Sequence, residues 1–329
     1  MSKMSTDLTR HALNGATMGT RWSALFYADA AFDPAPLQIA LQEAVDQVDA
    51  QMTTWRPDSA LMRLNAAPLN AWVQVPPALM AVLATALQVG RATGGAFEIA
   101  MGDAIAAWGF GPAAADTDRI RAVRSKRRRP SFDSLELDVA HGLARKHDDC
   151  SFDLSGIAKG YGVDRLAETL QAHGIPEGLL AIDGEVRALG CQPDGSAWPV
   201  AVEAPDRHAR AVHAMLTLHD ATVATSGDYR HWVQAGDRLL SHTIDPRTGA
   251  PLLDSAASVT VLAQSCMLAD AYATALMVMG PQAGRDFATK HHLDALFLIR
   301  DGSEIRSLGA GPLFTSSCDA APALLCRPA

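Results

Sequence analysis

Asp270 and Thr274 open a run of small residues, Asp270-Ala271-Tyr272-Ala273-Thr274-Ala275. A spacing of four puts the carboxylate and the hydroxyl on one helix face about a turn apart, and both are hard oxygen donors. One carboxylate with one hydroxyl leaves coordination positions for water and phosphate oxygens, which suits magnesium better than a calcium cage or a zinc site. Taken alone, the pair fits a plainer account more readily: an aspartate favoured by the dipole near a helix start and a threonine bonding back into its own helix.

A second segment, Asp153-Leu154-Ser155-Gly156-Ile157-Ala158-Lys159-Gly160, is a glycine-containing turn that enters a helix near Ile157. Free backbone N–H groups and the positive helix end there suit a phosphate or carboxylate. Asp153 would be a cap or a ligand-holding acceptor and Lys159 a point charge toward an anion; by itself the segment favours a capped helix with a solvated lysine. In Ser241-His242-Thr243-Ile244-Asp245-Pro246-Arg247-Thr248-Gly249 the Asp-Pro-x-x-Gly pattern forces a turn. That turn holds His242 on a constrained backbone, able to act as a general base near neutral pH. One histidine of eleven is more often structural, and only its neighbours lift His242 above that.

Two further segments offer flat surfaces. Thr93-Gly94-Gly95-Ala96-Phe97-Glu98, with Trp108-Gly109-Phe110-Gly111 downstream, allows close backbone approach and ring stacking on a heterocycle, or equally a packed turn. Met52-Thr53-Thr54-Trp55-Arg56-Pro57-Asp58-Ser59 ends a helix where Trp55 is either a ring platform or a buried core residue. No GxxxxGK[ST], strand-to-helix GxGxxG, GxSxG or HExxH is present.

The elements that must position these groups follow from periodicity. Residues 16 to 28 read as an N-terminal strand, and Leu37, Leu41, Val45, Val48 and Met52 as the apolar face of a helix. Another helix runs from about Ala78 to Ala92, and residues 112 to 150 read as a surface loop with a hairpin, including a solvated basic run Arg124 to Pro130. A helix from Ile157 stops at His173-Gly174, short strands follow, and a strand at Ser258–Ala263 precedes helices at about 268–280 and 282–291 and a hairpin around Asp301-Gly302. Helices among runs of strands without regular βαβ alternation point to an α+β fold. The expectation is one domain over 1–329, with a short flexible N-terminus at 1–10 and a loose tail at about 316–329.

The 329 residues, 48% of them hydrophobic, can bury a substantial core. A formal charge of -8 leaves no broad basic surface, so nucleic acid is not expected as a partner. Five scattered cysteines, Cys150, Cys191, Cys266, Cys318 and Cys326, form no CxxC and indicate neither a disulfide framework nor a zinc site. The longest apolar stretch, Ala271 to Gly280, is too short to cross a bilayer. With no apolar run of signal-peptide length and no lipid-bearing cysteine at its start, the sequence as it stands reads as cytoplasmic.

The order of the segments resembles the ApbE-type FAD:protein FMN transferases. The matching elements are Met18-Gly19-Thr20, Met52 to Ser59 with Arg63-Leu64-Asn65, Thr93 to Phe97 with Trp108 to Gly111, and Asp153 to Gly160. They continue through Ala224-Thr225-Ser226-Gly227-Asp228-Tyr229 and Ser241 to Gly249 to Ser258-Val259-Thr260-Val261 with Ala269 to Ala275. The match spans about 16 to 280. The resemblance implies a single ApbE-like, T-fold-like α+β domain of mixed or antiparallel sheets and packed helices. It implies Mg2+ held by the side chains of Asp270 and Thr274 and the backbone carbonyl of Gly156. FAD, the substrate, would be contacted by Met18, Trp55, Ala96, Phe97, Glu98, Asp153, Lys159 and Ile244, with His242 beside the phosphorus under attack.

The implied reaction joins FMN to a threonine or serine of an acceptor flavoprotein and releases AMP. His242, Asp270 and Lys159 are its candidate catalytic groups, and alternatives are an FAD pyrophosphatase and a non-catalytic flavin carrier. Three positions depart from the family pattern: Asp183-Gly184-Glu185 stands for Gly-Gly-Asp, Glu98 for Asp, and Trp55 for a common tyrosine. Many relatives are exported, so a periplasmic, membrane-associated location is the alternative to a cytoplasmic one.

Overall fold

The computed structural model describes residues 8–315 other than His208, His231, Gly236, Asp237, Asp254 and Ser303, together with Ala323–Leu324. Trp22, Ala24 and Phe26 are buried at a period of two, which makes β2 (Thr20–Asp29) a strand with one face in the core. β1 (Leu8–Thr17) pairs antiparallel with it along its length, Leu8 opposite Asp29 and Thr17 opposite Thr20. Met18 and Gly19 make the two-residue connection, both at positive φ, 44° and 72°, as a tight hairpin requires. The single strand expected over 16–28 is therefore a hairpin, and Leu8–Arg10 of the expected loose N-terminus are already paired. A left-handed methionine leaves no trace in an alternation pattern.

Leu37, Leu41, Val45, Val48 and Met52 form the buried stripe of α1 (Ala35–Met52). Ser59 caps α2 (Ala60–Ala66) by accepting the Met62 N–H at 3.0 Å. β3 (Trp72–Gln74), α3 (Pro77–Ala92) and α4 (Gly102–Ala107) follow. Residues 112–150 hold the expected hairpin, but two short helices precede it: α5 (Thr117–Ser125) and α6 (Ser131–Ser134), then β4 (Leu135–Asp138) and β5 (Leu143–Lys146). The basic run is not simply solvated, because Arg128 and Lys126 both pair with Asp103, at 2.7 and 3.1 Å.

α7 (Ala158–Ala172) ends before Gly174, whose φ of 78° terminates it. After it come β6 (Gly178–Ile182), β7 (Glu185–Leu189), β8 (Trp198–Glu203), β9 (Val212–Leu218) and β10 (Thr222–Gly227). The small hairpins β11 (Trp232–Ala235) with β12 (Arg238–Ser241) and β13 (Ile244–Asp245) with β14 (Ala250–Pro251) lead to β15 (Ser258–Ala263). The chain continues through α8 (Cys266–Met279), α9 (Pro281–Lys290), β16 (Asp294–Asp301), β17 (Glu304–Ala310) and α10 (Pro312–Thr315). Of the tail expected beyond 316, only β18 (Ala323–Leu324), paired parallel with β9, is among the described residues.

One antiparallel sheet of eight strands, in the order β1-β2-β6-β7-β10-β15-β16-β17, organises the molecule. Its two faces bury different partners. Trp22, Phe26, Leu180 and Ile182 pack against α1 and α7, while Ala188, Val223, Leu296 and Leu298 pack against Trp198, Val202 and Leu216 of β8 and β9. The result is an α+β architecture of helices on one face and a small sheet on the other. Among the described residues no helix is long and apolar enough to cross a membrane.

α7 and α8 cross at Gly160. A Cβ there would lie 2.3 Å from the Cys266 carbonyl oxygen and 2.8 Å from Asp270 Cβ, backbone and near-backbone atoms that cannot step aside. Gly160→Ala is expected to destabilise the fold by about 1–3 kcal/mol or more. A lower urea midpoint checks this, and an unchanged midpoint would mean the two helices part without cost.

Candidate active site

The crossing of α7 and α8 forms one wall of a cavity of about 1160 Å3. Every site residue that the resemblance implies borders it: Met18, Trp55, Ala96, Phe97, Glu98, Asp153, Gly156, Lys159, His242, Ile244, Asp270 and Thr274. They arrive from hairpin turn, helix end, loop and helix, so the tertiary fold alone gathers them.

Asp270 and Thr274 lie on one face of α8, as their spacing requires, and Asp270 is 3% exposed. Asp270 Oδ2 accepts the Gly160 N–H at 3.0 Å, closing the open first turn of α7, which has no side-chain cap of its own. Asp153 does something more local: its Oδ1 accepts the Ser155 N–H at 2.8 Å while its own N–H donates to Ile99 O at 2.8 Å. It shapes the turn and does not cap the helix. A Cβ on Gly156 would sit 2.9 Å from Thr274 Oγ1, so the turn's backbone and the threonine hydroxyl share one small space, and Ser226 Oγ stands 3.2 Å from that hydroxyl. Among the described residues no group of three or more His, Cys, Asp or Glu side chains is placed to hold a metal ion by itself. The oxygen set instead combines one carboxylate with a hydroxyl and the backbone of Gly156, a hard-donor set that fits a small divalent cation.

His242 follows β12 and is partly buried on the cavity wall. The turn beyond it is held by Asp245, whose carboxylate accepts from the Arg247 N–H, Nε and Nη2 at 2.9 to 3.0 Å. Trp108 Nε1 donates to Gly249 O at 2.8 Å, tying the same turn to the loop after α4. Trp55 is 64% exposed, so it is a rim residue and not part of the core. Phe97 is buried and packs in the core under α3. Both oxygens of Glu98 are taken by backbone N–H groups, of Ala100 at 2.7 Å and Ser131 at 2.9 Å, so Glu98 anchors the loop it borders.

A family model described as the ApbE family matches residues 18–297. The chain belongs to the ApbE family. It is 35% identical over 291 residues to the FAD:protein FMN transferase of Vibrio cholerae serotype O1, covering 88% of this chain and 87% of that one. It is 31% identical over 309 residues to the FAD:protein FMN transferase of Escherichia coli K12, covering 92% and 87%. The crystal structure of Pseudomonas stutzeri flavinyl transferase ApbE in its apo form superposes with a TM-score of 0.82 at 30% identity, over 94% of this chain and 98% of that one.

Within this ApbE-family cavity, Lys159 is half-buried and paired, not a free solvated lysine. Its Nζ donates to both oxygens of Glu185, at 3.0 and 2.9 Å, and lies 3.6 Å from Asp183. Burial pushes the Glu185 carboxyl up to about 8 and that of Asp270 up to about 6, each against the pull of Lys159. Burial works to depress Lys159, but the surrounding carboxylates, Glu185 foremost, outweigh it, raise the ammonium and keep it charged. Three carboxyls crowd one ammonium, so they titrate as one coupled cluster. Asp183 takes a left-handed turn at φ 55° between β6 and β7.

Glu185 as the partner of Lys159 escaped the sequence reading, although Asp183-Gly184-Glu185 stood out as a departure. So did Ser226 beside Thr274, and a far wall where Arg230 pairs with Glu203 and Tyr229 OH approaches Glu203 at 3.5 Å. The one available signal was Asp183-Gly184-Glu185 itself, a departure from the family pattern at the turn into β7.

Proposed function

We infer that this chain is an FAD:protein FMN transferase, which cleaves FAD at its diphosphate and joins the FMN half to a hydroxyl of an acceptor flavoprotein. The observation that carries the reading is similarity along nearly the whole chain to transferases of that activity.

At residue level, the oxygen donors of Asp270 and Thr274 and the Gly156 carbonyl would hold Mg2+. A bound ion there supplies charge withdrawal at the diphosphate, worth several kcal/mol in the transition state. His242 takes the proton of the attacking threonine or serine hydroxyl; the new phosphoester bond forms at the FMN-side phosphorus as the bond to AMP breaks. Lys159, kept charged by its carboxylates, offers its field to the departing phosphate. Exposed Trp55 on the rim supports stacking on a ring of FAD. Met18, Ala96, Asp153 and Ile244 shape the cavity wall that receives the dinucleotide.

The direct test incubates purified protein with FAD, Mg2+ and a threonine-bearing acceptor flavoprotein, followed by intact mass and AMP release. A mass increase of one FMN with matching AMP supports transfer. FMN and AMP appearing at a rate indifferent to acceptor would make the enzyme a pyrophosphatase, and FAD recovered intact would make it a carrier.

The raised carboxyl of Asp270 sets a pH dependence. Below about pH 6 a proton occupies the group that the ion needs. At limiting Mg2+, transfer is expected to fall as pH drops through about 6, and more Mg2+ restores it, about tenfold more per pH unit below the bend. Profiles at two Mg2+ concentrations that superimpose would contradict this.

A further inference from the structure

We propose that Asp164 is a positioning residue for the Asp270–Thr274 pair, holding α8 in register with α7 through a reciprocal exchange of caps. The proposal rests on the reading of Asp270 and Thr274 as metal ligands. Asp164 lies on α7 and is 6% exposed. Its Oδ1 accepts the Cys266 N–H at 3.1 Å and its Oδ2 the Met267 N–H at 3.0 Å. Those are the first two N–H groups of α8, donors that a helix cannot satisfy within itself. In the other direction Asp270 of α8 accepts the Gly160 N–H in the first turn of α7. Each helix thus closes the open end of the other with a buried carboxylate, and each bond is charge-assisted.

The geometry explains why this bears on the ligands. Asp270 stands one turn beyond the N–H groups that Asp164 holds, and Thr274 one turn further. Sliding or turning α8 against α7 would carry both ligands with it and would have to break the three cap bonds. Gly160 allows the approach, since any Cβ there would strike the Cys266 carbonyl. Arg187 on β7 donates to Asp164 Oδ1 at 2.6 Å and balances its charge. The side chain of Ser265, the ordinary cap, accepts the Leu268 N–H, at 3.2 Å, and leaves the first two donors to Asp164. Asp164 borders none of the cavity, so its influence must run through the helix.

The experiment titrates Mg2+ into FAD-loaded protein without acceptor, by calorimetry, for wild type, Asp164→Asn and Arg187→Met, with thermal unfolding in parallel. Asn can accept from only one of the two N–H groups, so D164N is expected to weaken Mg2+ binding at least tenfold. R187M removes the ion pair but leaves both caps, and it is expected to keep Mg2+ affinity within twofold even where its melting temperature falls as far. Asp164→Ser, with a single shorter acceptor, meets the same criterion if D164N does not fold. Wild-type affinity in D164N or D164S, or equal weakening in R187M, would overturn the positioning role alone. A wild-type protein that binds no Mg2+ would overturn the metal reading and this proposal together.

Discussion

Replacing Asp270 by asparagine is expected to lower Mg2+-dependent flavin transfer by about a thousandfold or more, since several kcal/mol of metal stabilisation are at stake and each 1.4 kcal/mol is tenfold. Asparagine keeps an oxygen that can accept the Gly160 N–H, so the crossing of α7 and α8 survives and the loss isolates the charge. Stability should move the other way. The Asp270 carboxyl titrates at about 6 in the fold against an ordinary value of 3.8, so between those values the folded chain holds more protons than the unfolded one. The contribution of Asp270 to the stability of the metal-free protein is therefore greatest below about 3.8, declines as pH rises to about 6, and stays reduced above. D270N lacks that decline. Its metal-free urea midpoint at pH 8 is expected to equal or exceed that of wild type, and adding Mg2+ to the FAD-loaded protein should raise the wild-type midpoint only. Activity lost together with a lower midpoint would assign Asp270 to folding instead.

The second large effect falls on His242. Its replacement by alanine is expected to slow transfer by roughly 100- to 10,000-fold, the range for a positioned general base. FAD affinity should change little, because the wall around it is built by Ile244 and the Asp245–Arg247 turn, which remain. Single-turnover rates with pre-bound FAD measure the chemical step apart from binding, and partial recovery with free imidazole would mark the missing base. A defect confined to the KM for FAD would make His242 a binding residue.

Both predictions draw on residues that spacing and turn chemistry singled out, and to which only the family resemblance gave a role. Asp270 and Thr274 had to share a face because the helical repeat is a property of the local chain. The turn at Asp153–Gly156 and the constrained loop after His242 were likewise legible, since glycine and proline restrict their own dihedrals. The same local logic misled where a residue behaved against type. Met18 adopts a left-handed conformation and splits one expected strand into a hairpin. Two residues of the basic run, Lys126 and Arg128, pair with Asp103, while Arg124, Arg127 and Arg129 stay exposed as expected.

What the amino-acid order determined by itself was the α+β character, the faces of the helices and the types of group available for chemistry. Only the tertiary structure decided that Lys159 faces Glu185, that Asp164 and Asp270 exchange helix caps, and that Trp55 stands at the rim while Phe97 is buried. The reason is physical. Periodicity comes from dihedrals within a few residues, whereas a buried charge takes whichever remote backbone or side chain the packing of helices and sheet brings within hydrogen-bond reach.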